Sequence, residues 1–305
     1  MRNKATTETL VRLLLHSRYE VLPTATTEEK VLAHVPREVT LTVTASPGKG
    51  LEATLDLAER LSAHGYVVVP HLAARMISGR TELGEICDRL VGQGITRVFV
   101  PGGDADPLGD YPDALSLLED LTALGRPFEH VGITGYPESH PTITDDMTIQ
   151  SMWDKRRHAT HVVSNLSFDP VVIRQWVQRM RTRGITMPLL LGIPGPVDRT
   201  KLLAMATKIG VGESTRFLAK HKRTFARLAA PGGYTGERFL EDCAPMLARP
   251  ELLAEGLHVF TFNQLAETEA WRRGMLDRLR KSRRGDQRRE GGLESSVPGG
   301  DDAQR

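Results

Sequence analysis

Residues Val131–Pro141 read V-G-I-T-G-Y-P-E-S-H-P, an apolar, β-compatible run that breaks abruptly into a turn carrying Tyr136, Glu138 and His140. Pro137 and Pro141 cannot donate to a sheet ladder, so a buried strand ends near Gly135 and titratable groups follow it. The same order, a short apolar strand, then a polar turn, then a helical repeat, recurs on both sides. Arg18–Leu22 stops at Pro23, and Thr26-Thr27-Glu28-Glu29 supplies a helix N-cap with an acidic first turn. Val39–Thr44 leads through Pro47-Gly48-Lys49-Gly50 into a helix over Leu51–His64. Tyr66–Pro70 is followed by His71 and a helix over Arg80–Gly92, and Thr96–Val100 by Gly102-Gly103-Asp104 and a helix over Tyr111–Leu124.

Beyond the opening stretch, Thr160–Ser164 ends at Asn165 before Asp169-Pro170 starts a helix over Val171–Arg183. Met187–Ile193 ends in Pro194-Gly195-Pro196, and two or three helices are expected between Asp198 and Ala254. Leu257–Phe262 ends at Asn263, and Leu265–Leu279 closes the set as a helix. Eight strand–helix units predict a parallel (β/α)8 TIM barrel. An open doubly wound sheet is the runner-up, but the Gly-rich turn it needs after its first strand is missing. Leu10, Val11, Leu14 and Leu15 predict an extra N-terminal helix that plugs or caps the fold. From Ser282 onward Gly, Ser, Arg, Asp and Glu dominate without periodicity, so residues 1–281 are expected to form a single barrel domain and residues 282–305 a disordered tail.

The 305 residues include 40 basic and 38 acidic ones, a net charge of +2 that gives no global field for nucleic acid or a membrane surface. The basic excess gathers between Arg272 and Arg289. Cys87 and Cys243 are far apart and outside any metal-ligand pattern, which fits a reducing compartment. No apolar run reaches a membrane span and no signal sequence is evident, so the expectation is a cytoplasmic protein. Oligomeric state is left open, a homo-oligomer included.

In a barrel, chemistry collects at the strand C-terminal ends. Glu20, Thr44, His71, Asp104, Tyr136, His140, Asn165 and Asn263 all fall there, and their convergence is the argument, since each alone also reads as a cap, a turn or a hydrogen-bonded structural group. Glu20 is the candidate acid, because desolvation at an apolar mouth can keep a carboxyl protonated near neutrality; its bland role is a lining salt bridge. Asp104, between glycine-permitted backbone and the mouth, is a candidate acceptor for ligand N–H groups or a plain turn residue. Glu138 reads as a structural anchor. His71, His140, His158 and His161 lack metal-ligand spacing, so no metal is expected, and neither a nucleophile elbow nor a Walker loop is present.

The Y-E-V-L-P run at Tyr19–Pro23, the Gly103-Asp104 turn, the G-Y-P-E-S-H-P run and F-T-F-N at Phe260–Asn263 together resemble the methylenetetrahydrofolate reductase family, in order and spacing over about residues 17–275. The resemblance implies a (β/α)8 barrel that reduces 5,10-methylenetetrahydrofolate to 5-methyltetrahydrofolate with NADH or NADPH, through bound FAD. It implies that Glu20 is the catalytic acid, that Asp104 contacts the pterin near the flavin, and that Asn165 stands for a folate-binding glutamine. Thr44, His71, Gly103, Tyr136 and His140 match the flavin pocket. Departures accompany the match. Gly102 replaces an arginine, and the helix start that holds the FAD phosphates reads Q-S-M-W-D-K-R-R-H over 150–158, where Lys155 or Arg156 would substitute. Among candidate substrate contacts, Thr200 replaces an aromatic residue and Gln264 an arginine. Each lost charge-assisted bond is worth about 1.5–3 kcal/mol. The expectation is therefore weakened flavin binding, with the hydride coming either from reduced FAD, as in the family, or, where flavin is lost, directly from NADH or NADPH. The rivals are a folate-binding regulatory barrel without turnover and a different barrel lyase, for which a Schiff-base lysine would be expected at a strand end.

Overall fold

A computed structural model of the chain describes residues 4–138, 140, 143–167, 169–196 and 236–294, the last twelve as helical backbone. After α1 (Lys4–Leu15), strands and helices alternate: β1 (Ser17–Val21), α2 (Thr27–His34), β2 (Thr40–Val43), α3 (Glu52–Ala63), β3 (Val68–Pro70), α4 (Arg80–Gly92), β4 (Arg97–Val100) and α5 (Ala114–Ala123). They continue with β5 (His130–Gly135), α6 (Asp145–Lys155), β6 (His161–Ser164), α7 (Pro170–Thr182), β7 (Leu189–Pro194), α8 (Gly236–Leu247), β8 (Ala254–Phe260) and α9 (Leu265–Glu294).

The strands form one eight-stranded sheet in the order β3-β2-β1-β8-β7-β6-β5-β4, with every pairing parallel. The two end strands meet through a parallel bridge between His71 and Phe99. The seam continues in backbone bonds from Leu72 N to Phe99 O (2.8 Å), Ala74 N to Pro101 O (3.0 Å) and Arg75 N to Gly102 O (3.0 Å). This is the (β/α)8 barrel that the strand count predicts.

Strand alternation builds two cores. Tyr19, Val21, Leu41, Val43, Val98, Val100, Leu189 and Leu191 face outward and pack under the helices in the large apolar cluster. Val69, Phe99, Val163 and Leu190 face inward and form a separate apolar cluster inside the barrel. Helix starts follow local chemistry: Asp113 accepts from Leu115 N and Ser116 N, and Asp169, with Pro170 behind it, accepts from Val171 N and Val172 N. In β7 only glycine fits at 192, where a Cβ would run into the carbonyl of Ser164.

Four details differ from the sequence reading. Helix α1 does not plug the barrel; it lies outside β8 against α8 and α9. Thr26 makes no side-chain cap bond to α2, while Thr27 Oγ1 donates to Leu22 O at 2.7 Å and so ties the helix start to the end of β1. Strand β8 begins at Ala254, three residues earlier than its apolar run suggests, after Leu253 turns the chain at φ 50°. Helix α9 continues as backbone to Glu294, past Ser282 where composition placed the tail; residues 295–305, and the helices expected over 197–235, lie outside the described residues. Among the described residues no helix is long and apolar enough to cross a membrane.

Candidate active site

Glu20 is the fourth residue of β1, and alternation turns its side chain into the barrel beside Thr42 of β2. Its Oε2 accepts from Nε2 of His258 at 3.0 Å, and Nε2 of His71 lies 3.9 Å from the same oxygen. The other oxygen, Oε1, has no hydrogen-bond partner among the described residues, and the side chain retains 18% exposure. His258, on β8, is 2% exposed. Burial pulls the imidazole of His71 down to about 4, with Glu20 opposing and His258 adding to the shift, so His71 is neutral at physiological pH. Its ring packs on Phe99 with centroids 4.7 Å apart.

Around this centre the loops bring several expected residues to one end of the barrel. Tyr136 and His140 stack edge to face at 4.8 Å, and His140 Nδ1 accepts from Ile143 N, which leaves the ring proton on Nε2. Burial raises the Tyr136 phenol, with Thr134 opposing the shift and the charge of Asp104 adding to it. Asp104 is exposed at the mouth, after Gly103, whose φ of +89° and close contact with Ala73 Cβ (3.3 Å from an added Cβ) require glycine there. Thr44 Oγ1 is buried without a partner. Asn165 turns its side-chain carbonyl onto the N–H of Leu166 at 2.8 Å.

Other expected residues are used for structure or lie elsewhere. Glu138 accepts from Ser167 Oγ (2.8 Å) and Asp169 N (3.0 Å), pinning the loop after β5 to the loop after β6 as an anchor. Asn263 accepts from Leu22 N and donates to Leu22 O and Thr27 Oγ1, so both ends of its amide strap β8 to β1. The adjacent Gln264 accepts from Thr268 Oγ1 through its backbone carbonyl at 2.7 Å, a bond of the first turn of α9 that does not engage its side chain. Thr200 lies outside the described residues.

The segment 150–158 is not a helix start. It is the second half of α6 and the turn after it. Burial lowers the Lys155 ammonium, with Asp113 and Asp154 opposing, and Arg156 is stacked over the Trp153 ring at 3.4 Å. The first turn of α6 carries Asp145 and Asp146, which pair with Arg179 (3.6 Å) and Arg183 (2.8 Å) at the C-terminal end of α7. Arg75, beside Gly103, commits its Nε to Pro112 O at 2.8 Å. The segment expected to hold the FAD phosphates is thus a helix end, without the free N–H groups of a helix start, and its Arg156 is already stacked on Trp153. Among the described residues no group of three or more His, Cys, Asp or Glu side chains is placed to hold a metal. Cys87 and Cys243 are free and buried, and burial pushes both thiols up to about 12, which leaves them protonated and unreactive.

His258 is the residue that sequence reasoning missed. With β8 read from Leu257, it falls second in its strand, near the base of the barrel; with the strand beginning at Ala254 it reaches Glu20.

Comparison with known proteins gives a family model, described as methylenetetrahydrofolate reductase, that matches residues 23–270. Two solved structures are similar at low identity. A putative lyase/mutase from Burkholderia cenocepacia J2315 is 16% identical with a TM-score of 0.46, over 97% of this chain and 95% of that one. The apo form of a putative deoxyribose-phosphate aldolase from Toxoplasma gondii ME49 is 10% identical with a TM-score of 0.46, over 90% and 98%.

Proposed function

The chain belongs to the methylenetetrahydrofolate reductase family, and from that premise we propose that it reduces 5,10-methylenetetrahydrofolate to 5-methyltetrahydrofolate with NADH or NADPH as the direct hydride donor. The observation that carries this reading is the carboxyl of Glu20, held on one oxygen by His258 and open to the mouth on the other. A ring-opening acid needs that arrangement: fixed from behind and accessible in front.

In this reading Glu20 gives its proton to N10 of the folate as the bond from N10 to the bridging methylene breaks. The lone pair on N5 completes an N5-methylene iminium. Hydride from C4 of the dihydronicotinamide then adds to that methylene carbon, leaving an N5-methyl group and the oxidised nicotinamide. In the same reading Asp104 accepts from the pterin edge and the side-chain amide of Asn165 donates to it. In this reading Tyr136, packed edge to face on the half-buried His140, offers the nicotinamide an aromatic contact, and His71 lies beside Glu20. A co-substrate leaving each turnover needs only micromolar to millimolar affinity, about 4–8 kcal/mol, so it tolerates a helix end at 150–158 and Gly102 in place of an arginine better than a resident cofactor does. Donor and acceptor carbons must meet at about 3–3.5 Å, and that positioning supplies much of the rate.

The test is to purify the full chain, record its visible spectrum, and follow NADH and NADPH oxidation with methylenetetrahydrofolate, with and without added FAD. Turnover by colourless protein without FAD is the expected result. Stoichiometric bound flavin, or turnover only when FAD is added, would overturn the direct route. Tight folate binding without turnover under any condition would make this a folate-binding barrel instead.

A further inference from the structure

Two histidines from different strands converge on a single oxygen of Glu20, and the arrangement is lopsided. His258 Nε2 is 3.0 Å from Oε2 and His71 Nε2 is 3.9 Å from it, while nothing among the described residues touches Oε1. His258 is almost fully enclosed, and its Nδ1 is buried without a hydrogen-bond partner. A ring in that setting favours the tautomer with its one proton on Nε2, because a buried orphan N–H is worse than an orphan lone pair and a doubly protonated ring would bury a charge. Phe260 fixes the ring from the side, with centroids 4.9 Å apart.

We propose that His258 is the positioning residue of the acid: its Nε2–H holds Oε2 of Glu20 in both protonation states, so that Oε1 carries the transferable proton and faces the substrate. While Glu20 is protonated on Oε1, Oε2 is its carbonyl oxygen and accepts a neutral hydrogen bond. When the proton leaves for the substrate nitrogen, the same N–H meets a carboxylate and the bond becomes charge-assisted. Stabilisation therefore rises as the reaction advances, which lowers the barrier rather than only tightening binding. His258 touches no substrate. The other titratable groups facing this pair are His71 from β3, His161 from β6, and Arg18 from β1, which is paired in register with His258. The catalytic part of the inference rests on the proposed reductase reading; the hydrogen-bond part does not.

The experiment uses the full chain. H258L, which removes the donor, is expected to lower kcat by about 10–100-fold with little change in KM for the folate, and to move the alkaline limb of the pH profile of kcat/KM to higher pH. H258Q, which keeps an N–H donor at the same reach, is expected to recover most of the loss. Equal impairment of both variants, or a parental profile in H258L, would overturn the positioning role. Independently of turnover, imidazole-15N spectra at neutral pH, with His258 assigned by its absence from H258Q, are expected to show the Nε2–H tautomer and a shift in E20L. An Nδ1–H tautomer, or signals unmoved in E20L, would overturn the hydrogen bond itself. Wild-type protein without methylene reduction but with the expected spectra would refute the reductase reading and leave the pairing standing.

Discussion

Glu20 owes its position to strand alternation: Tyr19 and Val21 point out under the helices, so position 20 must point into the barrel, and the end of β1 places it at the mouth. That much is legible from five residues ending in proline. Its hydrogen-bond partner is not, because His258 is 238 residues away in the chain and its strand starts where Leu253 adopts a left-handed turn that no local apolar pattern marks. Asn263 shows the converse. It sits at a strand end and reads as a ligand contact, but positive φ at both Phe262 (50°) and Asn263 (57°) swings its amide onto Leu22. At this scale the prediction is E20Q, which keeps shape and removes the transferable proton. Turnover measured at steady state is expected to fall by about 10²–10⁴-fold, the range for a lost general acid. Near-wild-type turnover would end the assignment of Glu20 as acid.

Among the elements, α9 is joined to β1 by a buried polar cluster. Tyr19 Oη donates to Glu269 Oε2 at 2.8 Å, Arg272 forks onto both oxygens of Glu269 at 2.9 Å each, and Arg273 donates to Oε1 at 2.8 Å. Glu269 and Arg272 are each 4% exposed. Burial alone would raise the Glu269 carboxyl, yet the donors outweigh it and hold it below the usual carboxylate range. Removing one partner leaves the other charge buried alone, so E269Q is expected to destabilise the fold by about 3–5 kcal/mol. Y19F, which removes one donor to a charged group, is expected to cost less, about 1.5–3 kcal/mol. Denaturant unfolding distinguishes them, and an E269Q variant as stable as wild type would sink the account. Because the folded carboxyl is the stronger acid, its contribution is present above the ordinary value of 4.5 and is lost as pH falls below it. The helix face carrying these residues was legible as amphipathic; the Tyr19–Glu269 match was not, since it joins residues 250 apart in the chain.

For the whole molecule, the barrel encloses neutral histidines. His71 is pulled down to about 4 and His161 well below its ordinary value, both chiefly by burial, with Arg18 donating to His161 at 2.9 Å. Unfolded, each takes up a proton near 6.5, whereas the folded barrel resists it. Stability is therefore complete above about pH 6.5 and falls as pH drops toward 4, by about 2 kcal/mol at pH 5 for His71 alone. Thermal unfolding between pH 7.5 and 4.5 is expected to show a falling Tm, flattened in H71N. A constant Tm from pH 7 to 5 would contradict it. Taken by itself, the sequence determined the number of units, the parallel barrel they form, and the end at which Glu20, His71, Asp104 and Tyr136 gather, because prolines, caps and two periodicities act over a few residues each. Only the tertiary structure decided that His258 stands behind Glu20, that Asn263 is a strap, and that residues 150–158 end a helix rather than start one. Those outcomes depend on strand register and helix direction, which are set when distant segments pack and side-chain contacts form across the closed barrel.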